Sequence, residues 1–319
     1  MKKAPAIERL ELHVVYQCVN DCVFCSERDH MREFSAHPAT MAEIEELLER
    51  KRGAGCRHVT FTGGEPTLFP KIWRAFEKAK ALGYRTFLVT NGSALALDDF
   101  AAAALPHLDE ICLSLHGPDA AAHEGLTRNP KSFARLERAF ANIQSHPGPH
   151  FLMINCVVNR ENVNQLAGIL RFAAGCGKLR QALFSYPAPL GAARERYAEL
   201  APRLGELSAR LPELVRIAAE KDVVLRIGGV PACALGERWE CSDDLYFSPR
   251  LTVSRTKTAD GGVGWFEEEE RRPGRERFHP AGCGPCSLRG RCGGVYKAYW
   301  DKIEQVELKP FAGEGACRS

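Results

Sequence analysis

No uninterrupted apolar run in the 319 residues approaches the length of a membrane span, and the chain carries no internal repeat and no low-complexity tract. Behind the opening Met1-Lys2-Lys3-Ala4-Pro5-Ala6 there is no apolar stretch that would serve as a signal segment, so a cytoplasmic location is expected. Excess charge is also lacking. The 43 Lys and Arg stand against 40 Asp and Glu, and a net charge of +3 with no long basic run does not imply nucleic acid. The run Glu267 to Glu270, followed by Arg271 and Arg272, reads as a solvated loop or face. With 45% hydrophobic and 26% charged residues, the composition excludes disorder and leaves room for one large α/β domain with a small appendage.

Cysteine is the residue in surplus, with 13 in the chain. Without an export signal, that number argues for metal binding over disulfides. Cys56, Cys112, Cys156 and Cys176 are scattered, and the pair inside apolar strand patterns, Cys112 and Cys156, read as small buried hydrophobes. The informative group is Cys18-Val19-Asn20-Asp21-Cys22-Val23-Phe24-Cys25, three thiolates on one short loop with no nearby fourth. A cubane iron–sulfur cluster held by three thiolates keeps one iron open for chemistry, whereas structural zinc closes a tetrahedron with four Cys or His ligands. The nearest histidines are His13 and His30.

From Leu10 to Val224, short apolar or β-branched runs alternate with longer helical patterns, as in β/α units on a parallel sheet. Six runs qualify as strands: Leu10 to Tyr16, His58 to Thr62, Thr86 to Thr90, Glu110 to Leu115, Phe151 to Val158 and Arg180 to Ser185. Thr40 and Glu43 form a capping box before Ile44, and Pro70 suits a first helical turn. Six such units curl into a partial (β/α)6 TIM-like barrel, whose active site would lie at the C-terminal strand ends. A long helical stretch from Glu195 to Lys221, divided by Pro202 and Pro212, precedes a late strand at Val223 to Ile227. Beyond it glycine, proline and cysteine rise, which predicts a barrel over 1–226 and a small Cys-rich, cluster-binding appendage over 227–319.

The motifs stand at those strand ends. After the second strand comes Gly63-Gly64-Glu65-Pro66-Thr67, where glycines permit close backbone approach to a ligand and Glu65 offers a carboxylate to a cationic group. Thr90-Asn91-Gly92 follows the third strand as an ordinary turn. Ser114-Leu115-His116-Gly117-Pro118 follows the fourth, with His123 and Arg128 further on and Asn155 on the fifth. His116 and His123 read as polar loop residues.

The CxxxCxxC loop, with aromatic Phe24 before its last cysteine, and the intact Gly63-Gly64-Glu65-Pro66 turn resemble the radical S-adenosylmethionine (radical SAM) enzymes. The resemblance implies a 4Fe-4S cluster on Cys18, Cys22 and Cys25 with S-adenosylmethionine on its open iron. It further implies reductive cleavage of that cofactor to a 5′-deoxyadenosyl radical, and a flavodoxin- or ferredoxin-type reductant. Cofactor contacts would come from Phe24, Gly63, Gly64, Glu65 and Pro66, from Ser114 and Arg128 toward ribose and carboxylate, and from Asn155.

A second group reads Cys283-Gly284-Pro285-Cys286 followed by Cys292, compatible with zinc or iron–sulfur when taken alone. It resembles the SPASM and twitch extensions that carry auxiliary 4Fe-4S clusters. A full SPASM domain would place another cysteine where Tyr296 stands, so one auxiliary cluster is expected rather than two. Cys233 is the first choice for its fourth ligand, Cys317 and Cys241 the rivals. The leading expectation is an enzyme that modifies a ribosomally made peptide. The alternatives are a radical SAM enzyme acting on a sugar, nucleoside or cofactor precursor, and a non-enzymatic iron–sulfur scaffold or electron carrier.

Overall fold

The computed structural model describes residues 7–305 and 308–311. Seven parallel strands lie side by side in chain order: β1 (Arg9–Val15), β2 (His58–Gly63), β3 (Arg85–Thr90), β4 (Glu110–Ser114), β5 (Phe151–Val157), β6 (Leu179–Ser185) and β7 (Val224–Gly228). Between them run α1 (Arg28–Phe34), α2 (Met41–Gly53), α3 (Trp73–Ala81), α4 (Asp98–Ala104), α5 (Ala120–Thr127), α6 (Ser132–Ser145) and α7 (Leu166–Ala173). This is the partial β/α barrel that the alternation predicts, with the late strand as its seventh parallel member.

Alternation along β1 divides its side chains between two environments. Leu10, Leu12 and Val14 are fully buried in the main core, whereas Arg9 and Glu11 line the barrel lumen. Each buried leucine of this kind contributes about 1.5–3 kcal/mol. The capping box at α2 is formed as expected. The Glu43 amide donates to Thr40 Oγ1 at 3.2 Å and the Thr40 amide to Glu43 Oε2 at 2.8 Å.

Several expectations change. Pro70 does not open α3, which starts at Trp73 because Lys71 turns through a φ of 56° first. The stretch 195–221 breaks into several short helices, the longest being Leu211–Glu220. Residue 226 lies within β7, and the chain beyond it adds two further strands to the same sheet. Strand β8 (Arg250–Lys257) pairs parallel with β1, and β9 (Val263–Glu270) pairs antiparallel with β8. Glu267 to Glu270 are therefore strand residues, each paired with cations: Glu267 with Arg50 and Lys51, Glu268 with Arg275, Glu269 with Arg271 and Glu270 with Arg250.

One side chain anchors this addition. Arg255 on β8 is buried, donates to the Pro38 carbonyl at 3.1 Å and to Glu43 Oε2 at 3.0 Å, and lies 3.9 Å over the Trp265 ring. Its own amide donates to the Tyr16 hydroxyl at 2.5 Å. The remaining strands, β10 (Arg277–Phe278) and β11 (Val295–Tyr296), form a small hairpin that frames the second cysteine group.

Candidate active site at the strand ends

The cysteine loop leaves β1 and is gripped from several sides. The last turn of α5 offers two carbonyls: the Asp21 amide donates to Thr127 at 2.9 Å and the Val23 amide to Leu126 at 3.0 Å. Arg28 donates to the Cys22 carbonyl at 2.9 Å and pairs with Asp21. From beyond β6, the Ala192 amide donates to the Cys25 carbonyl at 2.8 Å, and Gly191, at a φ of 50°, fits beneath that carbonyl where a Cβ would overlap it. Phe24 is buried with its ring edge-on to His116 at 4.7 Å, among Leu126, Ala193 and Leu200.

The paired glycines lie directly against the root of the cysteine loop. The Gly64 amide donates to the Val15 carbonyl at 2.8 Å and the Glu65 amide to the Gln17 carbonyl at 2.7 Å. A Cβ on Gly64 would stand 2.8 Å from the Gln17 carbonyl carbon and nearer still to its oxygen, and Gly63 meets the Val15 carbonyl in the same way. The glycines thus let the end of β2 lie against the root of the cysteine loop.

Glu65 is buried and held by four donors. Its Oε1 accepts from the Thr67 hydroxyl and the Thr90 hydroxyl, each at 2.6 Å, and from the Thr67 amide at 3.1 Å, while Oε2 accepts from the Asn91 amide at 2.7 Å. Burial pushes its pKa up despite those donors. The carboxylate ties the exit of β2 to the exit of β3, and Asn91 carries the connection onward, its Nδ2 lying 3.7 Å from Cys18 Sγ. The Asn20 amide donates to the same sulfur at 3.4 Å. The Thr90-Asn91-Gly92 turn, ordinary in sequence, is part of the site.

Ser114 and Asn155 are brought together as register partners on β4 and β5, with Ser185 donating to Asn155 Oδ1 at 2.6 Å. Asn155 lines a polar lumen cavity of about 450 Å³ that also holds Gln181, Arg226 and Asp243. Arg128 stands outside this group. It closes α5 in a left-handed conformation, with a half-exposed side chain 3.5 Å from Asp21. His116 and His123 are buried rather than loop-exposed, with nearly parallel rings 5.8 Å apart. Burial pushes both pKa values down, that of His123 to about 4, so both rings are neutral. His116 Nδ1 accepts from the Val157 amide at 3.3 Å, which leaves its proton on Nε2. A roomier cleft of about 780 Å³ lies at the opposite strand ends, among Lys80, Arg85 and Lys178, remote from these motifs.

The donor set fits an iron–sulfur cluster. Burial, with the neighbouring Glu65 and Cys25 charges, pushes the Cys18 thiol up to about 11, and burial raises Cys22 and Cys25 as well. Thiols so placed stay protonated until a metal displaces the proton, and the two donors at Cys18 Sγ suit a thiolate. Among the described residues no three His, Cys, Asp or Glu side chains gather around a single ion.

At the second group, Cys233, Cys283, Cys286 and Cys292 line one largely apolar pocket with Ala232, Leu288 and Phe311. Burial, helped by the other three thiols, pushes Cys233 up to about 11. Cys241 is apart from them, its charged neighbours being Arg226, Arg238 and Glu240, and Cys317 lies outside the described residues. Cys56, Cys112, Cys156 and Cys176 are buried, for Cys112 and Cys156 as their apolar strand patterns predict. No described helix is long and apolar enough to cross a membrane.

Comparison with known proteins places these features. A curated S-adenosylmethionine-dependent nucleotide dehydratase of Flammeovirga pacifica is 32% identical over 165 residues, covering 50% of this chain and 56% of its own. The PqqA peptide cyclase of Methylorubrum populi is 30% identical over 176 residues, covering 55% and 45%. The chain thus spans about half the length of these relatives. Among solved structures, Streptococcus suis SuiB bound to S-adenosylmethionine superposes with a TM-score of 0.61 at 15% identity, covering 77% of this chain and 58% of that one, a likeness of fold. Residues 12–173, just over half of the chain, match the family model of the radical SAM superfamily, and the protein belongs to that superfamily.

Proposed function

We propose that the protein is a radical SAM enzyme that modifies a peptide, with Cys18, Cys22 and Cys25 holding a 4Fe-4S cluster and the turn Gly63 to Pro66, with Phe24, Ser114, Arg128 and Asn155, flanking S-adenosylmethionine. Together these groups supply, when bound, reductive cleavage of the sulfonium to methionine and a 5′-deoxyadenosyl radical that takes a hydrogen atom from substrate. The observation that carries the reading is the convergence of three strand exits on one sulfur, through Glu65, the Thr90 hydroxyl and Asn91 to Cys18. In this arrangement Glu65 positions the glycine turn, neutral His116 and Phe24 exclude water behind the cysteine loop, and Asn91 and the Asn20 amide hold the Cys18 thiolate.

In the same reading Cys233, Cys283, Cys286 and Cys292 hold an auxiliary 4Fe-4S cluster, supported by their shared pocket. Residues 1–226 then carry the radical centre and 227–319 the auxiliary one, and a flavodoxin- or ferredoxin-type protein in the cytoplasm supplies the electron. The peptide cyclase among the relatives and the second cysteine centre favour a peptide substrate. A small molecule is the second reading, favoured by the nucleotide dehydratase relative and by the polar lumen beside Asn155. The test is mass spectrometry of precursor-like peptides encoded beside the gene after anaerobic turnover, with 5′-deoxyadenosine counted in parallel. Peptide-dependent 5′-deoxyadenosine and a mass shift of the peptide support the reading. Release that depends on a small molecule and not on any peptide moves the assignment to the second.

A further inference from the structure

We infer that the buried pair Asp244–Arg277 is the positioning device of the second cysteine centre, assembling its ligand segments before metal arrives; this rests on the proposal above that those cysteines hold iron. Both side chains are almost wholly buried, at 6% and 4% exposure, in a region otherwise short of regular structure. The pair is bidentate, with Arg277 Nη1 donating to Asp244 Oδ1 at 2.8 Å and Nη2 to Oδ2 at 2.6 Å.

A buried ion pair of this kind is a poor device for stability, because desolvation offsets most of its attraction and apolar replacements of similar volume commonly do as well. What it supplies here is a set of backbone contacts. Arg277 donates to the Gly294 carbonyl from Nε at 3.0 Å and from Nη2 at 2.8 Å, and Nη2 also reaches the Val230 carbonyl at 3.2 Å. Asp244 Oδ2 accepts from the Gly293 amide at 2.8 Å. Val230 stands just before Cys233, and Gly293 and Gly294 follow Cys292, so one guanidinium and one carboxylate hold two cysteine segments that are far apart in the chain.

The glycines bear out how tightly that turn is drawn in. A Cβ on Gly293 would lie 2.7 Å from the Arg277 guanidinium carbon. Gly294 adopts a φ of 81°, which aims its amide at Cys292 Sγ, 3.3 Å away. Asp244 on the Gly293 amide and Arg277 on the Gly294 carbonyl thereby hold the peptides on either side of the one whose N–H donates to a ligand sulfur, the kind of contact that sets cluster potential.

The test is anaerobic reconstitution with iron and sulfide, read as iron per chain, Mössbauer spectrum and midpoint potential. In a Cys18→Ala/Cys22→Ala/Cys25→Ala background, only the second centre contributes, about four irons per chain. There the apolar replacement Asp244→Leu/Arg277→Met removes the charge cost together with the backbone contacts. Its expected result is a protein that unfolds as cooperatively as its parent yet holds at least fivefold less iron. Asp244→Asn, which keeps the volume, is expected to lower the iron at least twofold and shift the midpoint potential of what remains, effects that a purely structural role would not produce. Undiminished iron with an unchanged spectrum and potential in both variants overturns the positioning role. Equal iron in the parent background and in one that also carries Cys233→Ala/Cys283→Ala/Cys286→Ala/Cys292→Ala overturns the underlying reading of a second centre instead.

Discussion

At Gly64 the chain leaves no room for a methyl group, since the Gln17 backbone stands within 3.0 Å of the position a Cβ would take. Gly64→Ala is expected to cost about 2–4 kcal/mol of unfolding free energy in urea titration and to lower bound iron, because the loop that carries Cys18 must move. Glu65 makes a different demand. Four donors converge on its two oxygens, and Glu65→Gln would turn an NH2 group toward at least one of them. About 1–3 kcal/mol of destabilisation is expected in the same titration, with Glu65→Ala costing at least as much. Residues of this kind are legible in sequence only as far as their chemistry is local. The three cysteines and the glycine pair declare themselves by spacing. The acceptor role of Glu65, the burial of His116 and His123 and the partnership of Asp244 with Arg277 depend on contacts across the fold that no short motif encodes.

Among the elements, the parallel strands were readable because each is an apolar run followed by a helical pattern. The β8–β9 hairpin was not, since Arg250 to Lys257 alternates polar residues with few apolar ones and the glutamates of β9 match a solvated face equally well. What makes β8 a strand is the free edge of β1 and the socket that Pro38, Glu43 and Trp265 form around Arg255. Arg255→Ala leaves the Pro38 carbonyl unpaired and opens that socket. A loss of about 2–4 kcal/mol is expected, with amide hydrogen exchange accelerated in β8 and β9 and unchanged in β4 to β6. Uniform acceleration across the sheet would show instead that the hairpin and barrel unfold as one unit.

Across the whole molecule, the cysteine loop is coupled to the barrel wall through a charged group beneath it. Buried His13 lies 3.4 Å from Glu11 and 3.3 Å from Glu27, and Glu27 also approaches His30. Burial disfavours the His13 charge, but the two carboxylates outweigh it and push its pKa up from 6.5 to about 10. Burial works against Glu27 too, and the two histidines hold it down at about 2 against an ordinary 4.5. The His13 contribution to stability is therefore complete below pH 6.5 and lost as pH rises through about 10. That of Glu27 is complete above pH 4.5 and lost as pH falls through about 2. The thermal midpoint should be highest between those plateaus and decline above pH 6.5, and His13→Leu should flatten that alkaline decline. An equally steep decline in the variant would assign it to the raised thiols instead.

The central claim is that Cys18, Cys22 and Cys25 support radical chemistry on S-adenosylmethionine. Its most direct measurement is chromatographic assay of 5′-deoxyadenosine after anaerobic reconstitution, reduction and addition of S-adenosylmethionine, comparing the wild type with Cys18→Ala/Cys22→Ala/Cys25→Ala. Formation by the wild type and none by the triple variant is the expected result. Equal formation by both, or none from a fully clustered wild type supplied with its substrate, would contradict it and leave an iron–sulfur scaffold or carrier.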